Sequence, residues 1–369
     1  MQNLKNTKIR DKKILLPVYF PDATRAVVRG LDFDDLLKSK VQGLVINTYH
    51  LMTQPGNSVI KAVGGIKKYM SWDGLIITDS GGFQLLSLIY RDSSFGKVDT
   101  DGVVFYKSSK GKKKKYKFTP EKSIQTQFNL NADIMICLDD CPSTKADREQ
   151  HKISVGRTIE WAKRCKEEFL RQIEIRKMND TNRPILFAVV QGGGYKDLRE
   201  SCAEILTRIG FDGYGFGGWP LNNEGVLDKE ILSYTASLTP NNLPKFALGV
   251  GNPQAIVEAF KAGYNMFDCV LPTRDARHKR LYNLTVDPFN ANFLEVQTVY
   301  KHLHIADEQY VRDTKPLSDF CDCFTCQHFS RSYLHHLFDI EDSLAGRLAT
   351  IHNLRTYTLL IDNLRKYAN

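Results

Sequence analysis

Two aspartates in this sequence each follow a short apolar run, and their carboxylates are candidates for catalysis. Asp268 follows a Met-Phe pair, and Asp79 follows the residues LIIT. A carboxylate placed in this way can attack an electrophilic carbon or transfer a proton. Cations begin shortly after Asp268, at Arg274, and arginines can hold a polyanion. The combination predicts sugar-bond chemistry on a nucleic acid. The alternative is that each aspartate only caps the turn that follows it.

Three cysteines near the C-terminus form a tight C-x-C-x-x-C turn at Cys321, Cys323 and Cys326. Three thiolates this close repel one another unless a soft cation neutralises them, and zinc prefers four tetrahedral nitrogen and sulfur ligands. A site with all four positions filled would be structural, because a catalytic zinc keeps one position free. The alternative is three buried, reduced cysteines. Spacing alone leaves four candidates for the fourth ligand: His328, His335, His336 and His352.

Short apolar runs alternate with helical patterns, which predicts a parallel sheet covered by helices. The apolar runs are 43–46, 75–78, 133–138, 185–190, 245–248 and 265–267. Helices are predicted over 121–129, 200–209 and 253–262. The alternation favours an α/β fold of the (β/α)8 barrel type over an open sheet, because no glycine-rich dinucleotide motif follows the first strand. In such a barrel, one mouth would gather Asp79, Asp139, Gln191, Gly218, Gly249 and Asp268.

The composition describes a globular protein with an excess of positive charge. Of its 369 residues, 42% are hydrophobic and 25% charged, and the net charge is +9. That excess favours an acidic partner, nucleic acid above all. The lysine-rich run 110–117 is either a solvated loop or a source of phosphate attraction. Because no secretory signal or membrane-spanning stretch is visible, we expect a cytoplasmic protein without membrane contact. Its eight cysteines are then reduced, metal-bound or buried.

Several motifs together resemble those of the tRNA-guanine transglycosylases, also called queuine tRNA-ribosyltransferases, of bacterial type. They are NTYHL (47–51), TDSGGFQ (78–84), VQG (190–192), FDCVLPTR (267–274) and the cysteine turn. The resemblance implies one barrel-shaped catalytic domain over residues 1–369, with a zinc-binding subdomain inserted at about 315–355. It also implies that the wobble guanine in the anticodon loop of tRNA is exchanged for a 7-deazaguanine base, in queuosine biosynthesis. The family is homodimeric, so we expect a homodimer.

The resemblance also implies roles for individual residues. Asp268 matches the nucleophile, which forms a covalent ribosyl-enzyme ester, and Asp79 matches the general acid/base. Arg274 and Arg277 match residues that hold the tRNA. His352 matches the fourth ligand of a structural zinc ion, beside the three cysteines. The residues that match the base-binding set are Ser80, Phe83, Asp139, Gln191, Gly218 and Leu248.

One segment departs from the family pattern. Residues 217–224 read GGWPLNNE, where bacterial members read roughly Gly-Gly-Leu-Ser/Ala-Val-Gly-Glu. In relatives, the peptide bond after the Leu-like position turns its carbonyl or its N–H towards the substituent of the incoming base. Pro220 has no N–H, so the resemblance implies that only the carbonyl can serve here. Asn223 takes the aligned Glu position, beside Glu224. We therefore expect a cationic donor, 7-aminomethyl-7-deazaguanine, rather than the 7-cyano form, and Leu221 argues against the larger queuine. The N-terminus is short, and we expect it to lack the β-hairpin that opens many members.

Three other functions remain open at this stage. A related enzyme that inserts 7-deazaguanine into DNA would use the same chemistry on another polymer. A catalytically silent RNA-binding subunit is disfavoured, because Asp79 and Asp268 are both present. A metal-dependent barrel hydrolase is disfavoured, because no His-x-His pair or ligand cluster lies among the residues predicted at the barrel mouth.

Overall fold

The elements of secondary structure alternate as the sequence predicts. The structure is a computed structural model that describes residues 4–109, 112–143, 145–221 and 226–367. Its strands are β1 (Asn6–Ile9), β2 (Lys12–Leu15), β3 (Val18–Pro21), β4 (Gly43–Asn47), β5 (Leu75–Asp79), β6 (Gly96–Asp99), β7 (Gly102–Ser109), β8 (Lys112–Phe118), β9 (Ile134–Ile136), β10 (Ile185–Val190), β11 (Gly213–Phe216), β12 (Lys245–Ala247), β13 (Met266–Cys269), β14 (Arg280–Leu284) and β15 (Tyr300–His304).

The helices of the described residues range in length from four to 28 residues. They are α1 (Phe33–Lys38), α2 (Thr48–Leu51), α3 (Asn57–Val63), α4 (Ile66–Met70), α5 (Gly82–Arg91), α6 (Pro120–Leu130), α7 (Arg148–Ile175), α8 (Lys196–Ile209), α9 (Lys229–Ser237), α10 (Pro253–Lys261), α11 (Leu271–Arg277), α12 (Phe324–His328), α13 (Arg331–Asp339) and α14 (Ser343–Lys366). None of the helices in this part of the chain combines the length and apolar character that crossing a membrane requires.

Eight parallel strands form a nearly closed barrel, which confirms the predicted (β/α)8 architecture. Their order is β3-β13-β12-β11-β10-β9-β5-β4. A parallel bridge between Asp22 and Val45 brings the two ends of the sheet together, and the amide of Ala23 donates to the Val45 carbonyl over 2.7 Å. The carboxyl ends of all eight strands therefore open at one mouth.

Two layers of apolar side chains hold the barrel together, as expected when strands are buried on both faces. One layer fills the space between strands and helices. The other fills the barrel interior, and we call it the interior cluster: Ile9, Ile14, Leu16, Val18, Phe20, Val45, Leu75, Ile77, Ile134, Ile136, Ile185, Phe187, Val189, Phe246 and Met266.

The chain does open with a β-hairpin, so the expectation that it lacks one is wrong. β1 and β2 pair antiparallel, and Ile9 and Ile14 of this hairpin belong to the interior cluster. Arg10, in its turn, lies near the buried carboxylate of Asp133, with a shortest N–O distance of 3.2 Å, and Lys67 lies 2.6 Å from the same group. The hairpin therefore closes the barrel floor by both apolar and ionic contacts. β1 and β2 are short and consist largely of lysines and other polar residues, so the sequence gave only a weak apolar pattern for this hairpin.

Helix α14 joins the barrel to the cysteine turn. Most of its side chains are buried, including His352 and Arg355. Arg355 donates to both carboxylate oxygens of Asp322, at 2.5 and 3.0 Å, and thereby fixes the loop between the first two cysteines. A smaller apolar cluster packs residues from 276–305 against residues from 317–349. The cysteine turn thus lies on a rigid base rather than on a free loop.

Candidate active site

A cavity of about 280 Å³ opens at the carboxyl ends of the barrel strands. Its volume is near the lower end of the range that holds small ligands. Residues at or just after the ends of all eight barrel strands reach it, as the barrel topology requires. Its polar lining includes Asp22, Thr24, Asn47, Asp79, Gln84, Asp139 and Asp268, and its apolar lining includes Phe83, Phe216, Trp219, Pro220, Phe246, Leu248 and Val270.

The position of Asp268 follows from the alternation of side chains along β13. Met266 belongs to the interior cluster, and a residue two positions later lies on the same face, so Asp268 faces the cavity. The amide of Gly249 donates to its Oδ1 over 2.8 Å. Burial raises the pKa of Asp268 to about 7, and repulsion from Asp79 and Asp22 adds to the effect. At neutral pH this carboxylate is therefore less stabilised than one in water, which increases its reactivity.

Asp79 ends β5, and neutral donors surround it. The Asn47 side chain donates to its Oδ2 over 2.8 Å, and the amide of Gly81 also donates to the carboxylate. Gly81 has φ +84°, and a Cβ there would lie 2.9 Å from the Tyr49 amide, so the turn requires glycine. Burial raises the pKa of Asp79 more than these hydrogen bonds lower it. A raised pKa favours the protonated carboxyl that a general acid requires.

Asp139 and Gln191, which follow β9 and β10, form a hydrogen-bonded pair that we call the polar wall of the cavity. The Gln191 Nε2 donates to the Asp139 carboxylate over 2.7 Å. Burial raises the pKa of Asp139 to about 7, with a further contribution from the nearby Asp79 carboxylate. The Oε1 of Gln191 is buried and has no hydrogen-bond partner within the described residues. This orphaned acceptor is costly unless a ligand donates to it, so the wall is prepared for a polar ligand edge.

Two aromatic rings stand at the mouth of the cavity. Phe83 and Trp219 are 38% and 47% exposed, and their ring centroids are 5.5 Å apart. Leu248 lines the same cavity. Exposed aromatic faces beside a polar wall suit stacking on a planar base. Gly218 lines the cavity too, but Ser80 is fully buried, and its Oγ accepts from the Gly82 amide.

A buried guanidinium holds the loops after β10 and β11. Arg199 is 1% exposed and donates to the carbonyls of Gly193, Val190 and Gly217 over 2.7, 3.1 and 3.1 Å. Its guanidinium also lies 4.1 Å from the centroid of the Phe216 ring. These contacts fix the backbone on both sides of Gln191 and before Gly218. Arg199 is therefore a positioning residue for the polar wall.

Arg274 and Arg277 lie on α11, which starts two residues after β13. Both are exposed, and Arg277 donates to the Thr273 carbonyl over 2.8 Å. Burial and repulsion from Arg29 lower the pKa of Arg277. The helix thus presents cations close to the residue predicted as the nucleophile.

Cys321, Cys323, Cys326 and His352 come together in the structure. Their ligand atoms all lie within 4.8 Å of one another, and the His352 Nδ1 lies 3.2 Å from the Cys326 sulfur and 3.8 Å from that of Cys323. The Nε2 of His352 lies 3.0 Å from the Tyr282 carbonyl, which leaves Nδ1 for a metal. This cluster fits a metal ion, and it selects His352 among the four candidate histidines.

Sequence reasoning assigned no role to four residues that the structure places at this site: Asp22, Asn47, Arg199 and Trp219. Asn47 is the last residue of β4, so the rule that strand ends line the mouth would have found it. Asp22 follows β3, a strand that the predicted set did not include. Arg199 carried no signal, because a helical arginine is usually exposed.

The geometry agrees with comparisons to known proteins. A family model described as queuine tRNA-ribosyltransferase matches residues 4–368. A protein of that name from Caldanaerobacter subterraneus subsp. tengcongensis is 40% identical over 350 residues, or 95% of this chain and 85% of the relative. Proteins of that name from Staphylococcus epidermidis and Staphylococcus aureus are 37% identical, over 95% of this chain and 84% of the relatives. The chain belongs to the queuine tRNA-ribosyltransferase family. It is therefore an enzyme of the transferase class, as the sequence motifs predict.

Burial of the Asp268 carboxylate lowers the free energy of unfolding, and this effect can be measured. Because the folded-state pKa of Asp268, about 7, exceeds its ordinary value of 3.8, its burial destabilises the fold increasingly as pH rises from about 4 to 7. We expect Asp268→Asn to raise the free energy of unfolding by about 1 kcal/mol or more at pH 8, and by less at pH 5.5. Urea unfolding at both values measures this. The exposed Asp73→Asn is the control, and an equal gain at both pH values would contradict the argument.

Proposed function

We propose that this chain exchanges the wobble guanine in the anticodon of tRNA for a 7-deazaguanine base, as a step in queuosine biosynthesis. The observation that carries the proposal is the meeting of Asp268, Asp79 and Asp139 in one cavity with an exposed aromatic ring. The names of the relatives support the same activity. Relatives that act on DNA, and silent RNA-binding subunits, are the alternatives that the first experiment below distinguishes.

The proposed reaction consists of two displacements at the ribose anomeric carbon. A carboxylate oxygen of Asp268 forms a bond to C1′ while the bond from C1′ to guanine N9 breaks. The electron pair leaves with guanine, which takes a proton from the neutral carboxyl of Asp79. The transition state resembles an oxocarbenium ion, as in retaining glycosidases. The amide of Gly249 holds Oδ1 of Asp268, so Oδ2 is free to attack. The incoming base then loses a proton to Asp79 and displaces the ester, which restores the original stereochemistry.

Recognition of the base is assigned to the polar wall and the aromatic mouth. The free Oε1 of Gln191 accepts from an N–H of the purine edge, and Asp139 and the backbone at Gly218 complete the pairing. Phe83 and Leu248 pack on the two faces of the base. Ser80 is buried beside this set and reaches the base only if its side chain turns. The target nucleotide must leave the stacked loop to enter the cavity, which suits single-stranded RNA.

The cations of α11 complete the proposed RNA site. Arg274 and Arg277 would contact phosphates on either side of the flipped nucleotide, because α11 follows directly from the strand that carries Asp268. Phosphate contacts position a nucleic acid without reading its sequence. The lysine-rich strand β8 carries further cations, although the side chains of residues 107–114 lie outside the described part of the chain.

The decisive test of the function is the exchange of labelled guanine into nucleic acid. We expect the wild type to label tRNA and to leave duplex and single-stranded DNA unlabelled. Asp268→Ala should lower the rate at least about 1,000-fold, because it removes the nucleophile. Thermal unfolding of the variant checks that it is folded, and exposed Asp73→Ala should retain full activity. Label in DNA would move the enzyme to the DNA-modifying branch, and label in neither polymer would favour a silent subunit.

We propose 7-aminomethyl-7-deazaguanine as the incoming base. Pro220 lines the cavity and lacks an N–H, so the Trp219–Pro220 peptide can offer only its carbonyl to the substituent at position 7. A carbonyl accepts from an ammonium group but repels a nitrile nitrogen. Asn223 and Glu224, which bear on the same question in the sequence, lie outside the described residues.

This preference is measured as the ratio of kcat/KM for the 7-aminomethyl and 7-cyano bases. We expect a ratio of about 10 or more in the wild type, the size of one charge-assisted hydrogen bond. Pro220→Ala restores an N–H and should bring the ratio closer to one by improving use of the nitrile. Comparable efficiency with both bases in the wild type would refute the assignment.

We propose that the metal ion at the cysteine cluster is zinc in a structural role. Three thiolates and one imidazole nitrogen are the ligand set that zinc prefers, and they fill all four positions. The residues that would hold it are Cys321, Cys323, Cys326 and His352. When bound, zinc supplies a cross-link between the cysteine turn and α14, and the chemistry at the barrel mouth proceeds without it. The subdomain boundaries at about 315–355, the homodimer and the cytoplasmic location remain predictions.

Loss of a ligand should release the metal and destabilise the fold. We expect elemental analysis to find one zinc per wild-type chain and almost none in Cys323→Ala or His352→Ala. The Tm should fall by about 5 °C or more, because metal binding contributes folding free energy. Cys202→Ala removes a buried cysteine that lies on α8, outside the cluster, and should keep its zinc. A wild-type protein that is stable without zinc, or a His352→Ala variant that retains it, would overturn the proposal.

A further inference from the structure

A third carboxylate at the mouth, that of Asp22, has no part in the proposed displacement or in base recognition. It follows β3 and lines the same cavity as Asp268 and Asp79. β3 pairs with β13 in parallel register, with Phe20 opposite Asp268. Asp22 therefore lies on the strand next to that of Asp268 and two residues closer to the mouth. In ideal sheet geometry, this separates the two Cα atoms by about 8 Å.

The side chain of Asp22 faces into the barrel mouth for the same reason that Asp268 does. Phe20 belongs to the interior cluster, and alternate residues of a strand share a face. Two electrostatic effects agree with this direction. Asp22 contributes to the raised pKa of Asp268, and it opposes the lowering of the pKa of Arg277. Its carboxylate is therefore close to both the proposed nucleophile and the cationic rim.

One oxygen of this carboxylate is fixed, and the other is available. Oδ1 accepts from the amide of Thr24 over 3.2 Å and from the Thr24 hydroxyl. Within the described residues, Oδ2 takes part in no hydrogen bond or ion pair. A turn of this kind needs only one side-chain oxygen, which asparagine or serine would also supply. The second, charged oxygen therefore exceeds what the local structure requires.

The place of the sugar follows from the proposed reaction, on which this inference rests. The base lies against Asp139 and Gln191, and C1′ must lie at Asp268. The ribose then extends from Asp268 towards the rim, where Asp22, Thr24 and Val270 line the cavity. The side-chain nitrogen of Asn47, which also lies nearby, already donates to Asp79 and Gln84. Among the described residues that line the cavity on the ribose side, Asp22 is consequently a charged acceptor with a free oxygen.

We propose that Oδ2 of Asp22 accepts a hydrogen bond from the 2′-hydroxyl of the target nucleotide, so that Asp22 selects ribose over deoxyribose. The 2′-carbon is bonded directly to C1′, so its hydroxyl is the sugar group nearest to the reacting centre. A hydrogen bond at this position strengthens as positive charge develops on the ring, which favours the transition state. The 2′-hydroxyl is also the group by which a protein distinguishes RNA from DNA.

Asp22→Asn tests this role with little change of shape. Its side-chain oxygen can keep the turn with Thr24, and its NH₂ then stands where Oδ2 was, a donor in place of the acceptor. The substrates are an anticodon stem-loop RNA and the same RNA with a single 2′-deoxyguanosine at the target position. Guanine exchange gives kcat/KM for each substrate, with wild type and variant. Comparing the variant's effect on the two substrates cancels the greater intrinsic lability of the deoxynucleoside bond.

We expect Asp22→Asn to lower kcat/KM about 10- to 100-fold on the ribose substrate and less than about threefold on the deoxyribose substrate. Asp22→Ser, which also keeps one oxygen for the turn, should behave in the same way if the asparagine variant folds poorly. Exposed Asp73→Asn changes the charge equally and should leave both rates unchanged. An equal loss on both substrates, or no loss on either, would overturn the role of Asp22 while leaving the exchange reaction intact. A wild type that exchanges guanine into neither RNA would overturn the proposed function, and this inference with it.

Discussion

Burying several like charges in one cavity is the constraint on which the rest of this structure depends. Asp79, Asp139 and Asp268 each have a pKa raised mainly by burial, and repulsion from Asp79 raises the pKa of the other two further. Water would relieve this cost, but it would also lower their reactivity. The barrel places each of them at or just after the end of a different strand. The carboxyl ends of all eight parallel strands meet at one mouth, so these side chains converge there.

The acids that serve the fold differ from those at the mouth in their partners. Asp133, on the floor, is paired with Arg10 and Lys67, and Asp140 is paired with Arg157. Within the described residues, none of the three mouth carboxylates forms an ion pair, and amides hold them instead. A neutral donor orients a carboxylate without cancelling its charge. Arg199, a buried cation near the polar wall, is directed to backbone carbonyls.

The sequence permitted prediction wherever a local pattern determines structure. Continuous apolar strands predicted the barrel, and the helical pattern over 121–129 predicted α6, at whose start the Thr119 side chain accepts from the Lys122 amide. The spacing of the cysteines predicted a metal site but left four candidate histidines. The family resemblance pointed to His352, and the fold brings that residue to the cysteines. β3 and β11 were absent from the predicted strands, because β11 contains two glycines and β3 lies between Pro17 and its own last residue, Pro21. The contacts of Arg199 and Asp22 arise from tertiary neighbours, which no local pattern encodes.

The aromatic mouth has a practical consequence for spectroscopy. Of the three tryptophans in the chain, Trp72 and Trp161 are almost fully buried, whereas Trp219 is 47% exposed. The long-wavelength part of the intrinsic fluorescence therefore originates at the cavity, since water shifts indole emission to the red. A purine that stacks beside Phe83 would quench this component and leave the two buried emitters unchanged. The chain thus carries its own optical reporter of occupancy, with an internal reference.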